Sequence, residues 1–483
     1  MLFNSIEFAI FLPVVFIIYW LVVNRNLRLQ NLFIVVISYI FYGWWDWRFL
    51  LLISLTSLAS YISGIWISKE QQSKTKRNYA KWIMIANIVL NLSVLGIFKY
   101  FDFFGENLYR LFKLFGFDAD WPTLNILLPV GISFYTFQAL SYTIDVYKHK
   151  IVATKDIVSF FAYISFFPQL VAGPIERATN LLPQFYKKRE FDYSEAVSGV
   201  RQILWGLFKK IVVADNCAIA ANAVFDNYAD ASGSTLVFGV IMFTFQIYGD
   251  FSGYSDIAIG VAKLFGINLM QNFNYPYFSR DIAEFWRRWH ISLTTWFRDY
   301  VYIPLGGSRG TKWKIFRNTM IIFLISGFWH GANWTFILWG LYNALLFLPL
   351  MLTGNNRKYA DNIVAANRKL PTLGEAFKIT VTFALVAIGW MMFRSESISD
   401  FWHYMCGIFD KSLFSMPVST WRKFPLIGIS VLLIVEWLGR RQKFALEKIP
   451  VKSRVLRWSG YLAILLMILY MYGGQETFIY FQF

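Results

Sequence analysis

Residues 321–348 read IIFLISGFWHGANWTFILWGLYNALLFL, two apolar runs divided by the short turn Trp329-His330-Gly331-Ala332-Asn333-Trp334. A bilayer has a hydrocarbon core about 30 Å thick, which takes about 20 apolar helical residues to cross. The two runs together, about 317–352, are barely long enough for two spans, so the turn between them is expected below the membrane surface. An ionisable side chain at that depth is expensive unless it lines a cavity or has partners. Imidazole is also the side chain best poised near neutral pH for general-base work. His330 is therefore the leading candidate for a reactive group, against the plainer reading of a histidine hydrogen-bonded within helix packing. Gly327 and Gly331 permit either a close backbone approach or room for a substrate beside the imidazole.

The same apolar texture extends over the whole chain. Of 483 residues, 57% are hydrophobic and 20% aromatic, and only 16% are charged, where soluble proteins carry about 25%. Such a chain meets lipid at its outer surface, and the fold class expected is an all-α integral membrane protein. Candidate spans are 5–23, 30–47, 49–68, 82–100, 124–147, 201–225, 235–262, 317–332, 334–352, 375–394, 424–438 and 457–473. They form one polytopic domain over 1–483 without a soluble appendage. The run Ile6–Val23 has no basic leader and no small-residue cleavage site, and reads as a retained span. Two stretches resist this scheme. Ser159–Pro174 contains Pro168, Gly173 and Pro174 and predicts a broken or re-entrant helix. Ser279–Tyr302 mixes Trp286, Trp289 and Trp296 with Arg287, Arg288 and Arg298, and reads as an interfacial segment on the cytoplasmic side, with an inward dip as the alternative.

The formal net charge of +17 lies mostly in short loops between apolar runs. That is the positive-inside pattern and argues against nucleic-acid binding. Asn24–Gln30, Lys69–Lys81 and Arg440–Arg457 are assigned to the cytoplasm. Asp102–Asp120 and Asp226–Ser234 lean acidic and are assigned to the other side. Twelve spans with both termini outside satisfy all five loops. Cys217 and Cys406 have neither metal-type spacing nor a disulfide framework.

Four histidines are present. His149, in Lys148-His149-Lys150, reads as a solvated loop residue, and His403 as an interfacial one. His290 lies in the aromatic, arginine-rich segment, and no carboxylate or cysteine cluster joins it and His330 into a metal site. The stretch Phe245–Asp256 puts Gln246, Tyr248, Asp250, Ser252, Tyr254 and Asp256 inside a span. Intramembrane carboxylates are functional candidates; the competing reading pairs them with arginines of 279–302. Asn272-Phe273-Asn274-Tyr275-Pro276 is a turn leading into that segment. Pro129–Gln138 sets hydroxyls and the amide of Gln138 in a span, where helix packing explains them as well. Walker-type loops, dinucleotide-binding glycine fingerprints and nucleophile elbows are absent from the sequence, which removes the usual nucleotide-driven pumps and hydrolases.

Four strings together make the chain resemble the membrane-bound O-acyltransferase family. They are Trp329–Trp334, Phe285-Trp286-Arg287-Arg288-Trp289-His290-Ile291-Ser292-Leu293, Gly249–Asp256 and Phe167–Pro174, within a core region of about 125–345. Phe41-Tyr42-Gly43-Trp44-Trp45 and the closing Phe478-Ile479-Tyr480-Phe481 add to the likeness, which is greatest to the bacterial branch that acetylates exported polysaccharides such as alginate and peptidoglycan. The resemblance implies a ring of about twelve tilted helices, with re-entrant or interfacial helices, around a central tunnel. It implies a catalytic pair, His330 and His290. Acetyl-CoA would be the cytoplasmic donor, no metal would be needed, and the acceptor would be a polysaccharide. A periplasmic or membrane-anchored acetyltransferase would be the partner and the bacterial inner membrane the location. Arg287 and Arg288 would hold the anionic donor, and Asp250, Tyr254, Trp329, Asn333 and Gln138 would complete the substrate site. Two rival readings make different predictions. A proton-coupled transporter or flippase moves its substrate without an acyl donor, and a non-catalytic scaffold supports acetylation without His330.

Overall fold

The computed structural model describes all residues except 74–78, 118–127, 172, 361, 418–423, 450–452, 473–477 and 480–483. The start of the 124–147 span, part of the Lys69–Lys81, Asp102–Asp120 and Arg440–Arg457 loops, Ala172, and Tyr480 and Phe481 of the closing string lie outside the described residues. Every element among the described residues is helical. The chain divides into two units, Met1–Gly199 with Val261–Met270, and Val200–Gly260 with Gln271–Phe483.

The first unit opens with α1 (Ile6–Ile17), which Ser5 caps and a π-turn, Ile18–Val22, extends. Next come α2 (Leu27–Gly43), α3 (Arg48–Gln72), α4 (Tyr79–Leu114) and α5 (Ile132–Tyr147). Asn26 starts α2 by accepting from the Arg28 and Leu29 N–H groups, orphan donors that an N-cap side chain satisfies. The 36 residues of α4 make a rod about 54 Å long, so the acidic stretch from Asp102 onward is helix where a loop is expected. The broken helix is borne out. Asp156 caps α6 (Ile157–Ser165), and Pro168 falls in the first turn of α7 (Phe167–Leu170). Proline is tolerated there because its missing N–H would have had no intrahelical partner. Gly131 explains the tight turn before α5. Its φ is +76°, and a Cβ on it would run into the Leu170 carbonyl. The short helix α8 (Ala178–Leu181) and the start of α9 (Tyr193–Leu207) follow.

The second unit takes up α9 at Val200 and continues through a π-helical turn, Phe208–Ala214, into α10 (Asp215–Phe225). The long helix α11 (Gly233–Leu264) has most of its apolar stretch buried, which makes it central rather than lipid-facing. Short helices α12 (Ile282–Arg288) and α13 (Ile291–Phe297) lead to the pair α14 (Lys312–His330) and α15 (Trp334–Leu352). Last come α16 (Leu373–Arg394), α17 (Ile398–Ile408), α18 (Phe424–Gly439) and α19 (Arg454–Met471). On α19, Leu462, Leu465, Leu466 and Leu469 are all exposed, as a lipid-facing helix requires.

Six helices among the described residues have the length and composition to cross a bilayer, namely α3, α4, α11, α15, α16 and α19. Three shorter apolar helices accompany them, at Ile6–Val22, Leu27–Gly43 and Phe424–Gly439. The protein is thus all-helical with several apolar helices, while α5, α9 with α10, and α14 do not qualify as spans on those criteria. α5, α9 and α10 are too short, with 16, 15 and 11 residues, while α14 is long enough and fails on polar content. The helix α14 begins with Lys312, Lys314 and Arg317, and α5 buries Ser133, Thr136, Gln138, Ser141, Thr143 and Asp145. Of the two placements open to the 279–302 segment, at the interface or dipping inward, the structure has its middle dipping inward. It is broken at Trp289-His290, and Phe285, Trp289, His290 and Ser292 are buried in the core of the unit.

Candidate active site

A hairpin of two helices carries His330. Thr311 starts α14 five residues earlier than the apolar run suggests, so α14 and α15 have 19 residues each, about 28 Å. Glycines bring the two rods together. A Cβ on Gly327 would sit 3.2 Å from Gly340 Cα and directly against the Phe336 carbonyl. A Cβ on Gly331 would enter the Phe336 ring. Both glycines therefore serve close approach, and neither leaves room for a substrate. Asn333 ends the turn by accepting from the Thr335 N–H and donating to the Glu396 carbonyl.

His330 is the last residue of α14 and is 5% exposed. Aromatic rings enclose it: Trp329 at 4.9 Å between centroids, Trp339 at 5.1 Å and Phe393 at 5.3 Å. These belong to a larger aromatic core in which Trp289 lies 4.8 Å from Trp390, and Trp390 5.9 Å from Trp339. The histidine is kept from water by this packing.

His290 lies in the same unit, at the junction of α12 and α13, and is 1% exposed. It is held at φ +43°, a left-handed conformation that costs a non-glycine residue about 1–3 kcal/mol. Phe251 meets its ring edge-on at 4.6 Å, and Trp329 lies 6.2 Å away. Trp329 thus neighbours both imidazoles. Its neighbours on the His290 side are held by one side chain that sequence reasoning left as part of a turn, Asn272. Its Oδ1 accepts from His290 Nδ1 at 3.0 Å and from Ser292 Oγ at 2.9 Å, and its Nδ2 donates to Ser255 Oγ at 3.0 Å.

The arginines are engaged. Glu284 takes Arg280 and Arg288 together, at 3.0 and 2.9 Å. Arg288 also donates to the Asn274 carbonyl, and Arg287 to the Asn356 carbonyl. Asp250 pairs with Lys210 at 2.9 Å, and the arginines of 279–302 are not its partners. Lys210 also holds Asp215 at 2.7 Å, and Lys209 holds Asp256 at 2.6 Å. Tyr248 donates to Glu436 at 2.8 Å. The Ile479 N–H donates to Asp250, and the Phe478 ring packs 4.4 Å from that of Tyr254. Lys209, Lys210, Asp215 and Glu436 belong to this buried charge network and were not singled out from the sequence. The available signal was two adjacent lysines and an aspartate inside the 201–225 span, the same signal that singled out Asp250. Gln138 is not in this cluster; it belongs to α5 of the first unit, where its carbonyl accepts from Tyr163 and Ser141. His149 is exposed, in keeping with a loop residue, and His403 on α17 is exposed as well. Among the described residues, no group of three or more His, Cys, Asp or Glu side chains converges as metal ligands would.

An all-helical membrane protein with two buried imidazoles in one aromatic core defines the class. The model of the membrane-bound O-acyltransferase family matches residues 148–392, half of the chain. The probable alginate O-acetylase AlgI of Pseudomonas aeruginosa is 38% identical over 92% of this chain and 82% of its own. The peptidoglycan O-acetyltransferase of Helicobacter pylori is 35% identical over 83% of this chain and 78% of its own. The teichoic acid D-alanyltransferase of Bacillus subtilis is 29% identical over 57% and 71%. The chain belongs to the membrane-bound O-acyltransferase family, and it is an acyltransferase.

Proposed function

We propose that the protein moves an acetyl group from cytoplasmic acetyl-CoA across the bacterial inner membrane to a hydroxyl of an exported glycan. Transfer is direct or passes through a periplasmic or membrane-anchored partner transferase. The observation that carries this reading is that His330 and His290 are both buried and both neighbour Trp329 in one aromatic core. The high identity to enzymes named as alginate and peptidoglycan O-acetylases supports the acetyl group and the glycan acceptor. The basic loops supply the orientation, with the donor on the cytoplasmic side and both termini outside.

In this reading His330 acts as general base. The acceptor oxygen bonds to the acyl carbon as its proton passes to the imidazole. The carbon–sulfur bond then breaks, and the departing thiolate takes the proton back. Arg288 shares the Glu284 carboxylate with Arg280, and Arg287 keeps its full charge while one N–H donates to the Asn356 carbonyl, so the pair supplies positive charge for the anionic donor as well as anchoring α12. The test is His330→Ala in purified, membrane-inserted protein with labelled acetyl-CoA, with and without the partner. Loss of acetyl transfer at unchanged expression and thermal stability is expected. Acetylation at the parental rate would overturn the proposal and favour the scaffold.

A further inference from the structure

His290 Nδ1 meets Asn272 Oδ1 at 3.0 Å and, more distantly, Ser292 Oγ at 3.4 Å, and the Ser292 backbone N–H decides the direction of the shorter bond. The Ser292 backbone N–H can only donate, and it points at one oxygen-or-nitrogen atom of the Asn272 amide, at 3.3 Å. That atom must therefore be Oδ1, an acceptor. The other amide atom is Nδ2, which donates to Ser255 Oγ at 3.0 Å, in agreement. His290 Nδ1 lies 3.0 Å from the same Oδ1. An amide oxygen has no proton to give, so the proton of this bond sits on Nδ1. In a neutral imidazole the lone pair is then on Nε2.

We propose that Asn272 is a positioning residue that holds His290 as its Nδ1–H tautomer. His290 then enters acyl transfer as an acceptor at Nε2 and, while neutral, has no Nε2 proton to donate to a tetrahedral oxyanion. This rests on the reading of the His330–His290 pair as the active site. Three features make the arrangement more than packing. Asn272 is wholly buried, and its backbone carbonyl accepts from the Ile291 N–H at 2.9 Å. The backbone of His290 is held in a strained conformation between those two anchors. And the same oxygen collects three donors, from His290 and from both the hydroxyl and the N–H of Ser292, so the ring has one orientation. Fixing the tautomer and direction of a catalytic imidazole through its far nitrogen is worth about 10- to 100-fold or more in rate in comparable sites.

The experiment compares Asn272→Leu with Asn272→Asp, since aspartate keeps the acceptor and leucine, of similar size, removes it. Nitrogen NMR of histidine-labelled full-length protein reads the tautomer directly, with His290→Gln supplying the assignment. The parent and N272D are expected to show His290 protonated at Nδ1, and N272L to show the other tautomer populated. In acetyl-transfer assays N272L is expected to lose roughly 100-fold in kcat with KM little changed, and N272D to recover to within about 10-fold of the parent. Protonation at Nε2 in the parent, or equal loss in well-folded N272D and N272L, would overturn the proposal. Failure of the catalytic reading looks different: His290→Gln and N272L would both transfer acetyl at the parental rate while the NMR assignment stood.

Discussion

Replacing Gly340 by alanine puts one methyl group into the closest approach of the α14–α15 hairpin. The new Cβ would lie 2.5 Å from the Phe323 carbonyl oxygen, 3.1 Å from its carbon and 3.3 Å from Leu324 Cα. All three are backbone atoms, so no side chain can rotate away. Ordinary contact begins at 3.4 Å, so the two helices must separate by 3.4 − 2.5 = 0.9 Å at this point. Overpacking of this kind costs about 1–3 kcal/mol. The effect on chemistry is larger, because Phe323 lies on the helix that ends in His330, and Gly340 follows Trp339, which packs on the His330 ring at 5.1 Å. A shift near 1 Å in a catalytic group costs roughly 100-fold in rate. G340A should therefore remain folded in the membrane with a modestly lowered thermal midpoint, and should lose about two orders of magnitude in kcat. Gly96→Ala is the control. It lies mid-helix in α4 with nothing within 4 Å of its Cβ, and should leave kcat unchanged while raising the thermal midpoint slightly. A G340A protein with parental kcat would refute the claim that the glycine contact sets the position of His330.

Two further perturbations test the buried charges. Lys210→Met strands the Asp215 and Asp250 carboxylates that the ammonium group joins, and should destabilise the second unit by about 3–5 kcal/mol, visible as a collapse of thermal stability in detergent; undiminished stability would mean the pairs are dispensable. Glu176, in the loop between α7 and α8, accepts from Asn180 and the Met270 N–H, while burial pushes its carboxyl from 4.5 up to about 7. The folded state thus favours the protonated acid, so stability is highest below pH 4.5 and falls as the pH rises to about 7, by about 3 kcal/mol over that window. Glu176→Gln should remove that slope from thermal melts at pH 5 and pH 8, and an unchanged slope would exclude Glu176 as its source.

Much of this protein is written in its sequence. Apolar runs of span length, a low charged fraction and prolines at 168 and 174 dictate a helical membrane protein with a broken helix, because lipid leaves the backbone no other way to satisfy its N–H and C=O groups. His330 is legible for a similar reason: a titratable group between two apolar helices has to be explained. What its surroundings do is decided only when distant segments meet. The glycines at 327 and 331 are compatible with a substrate cavity or with tight packing, and Phe336 settles the matter for packing. The arginines at 287 and 288 look alike in the sequence, and only the fold gives Arg288 the Glu284 carboxylate and Arg287 the Asn356 carbonyl. Asp250 finds its counter-charge in Lys210, 40 residues earlier in the chain. Asn272 is an ordinary turn residue until the fold sets its amide against His290, 18 positions away. Local pattern and hydropathy are properties of neighbouring residues and survive in the one-dimensional chain. Ion-pair partners, tautomers and helix-to-helix contacts are properties of separation in space, which only the folded molecule supplies.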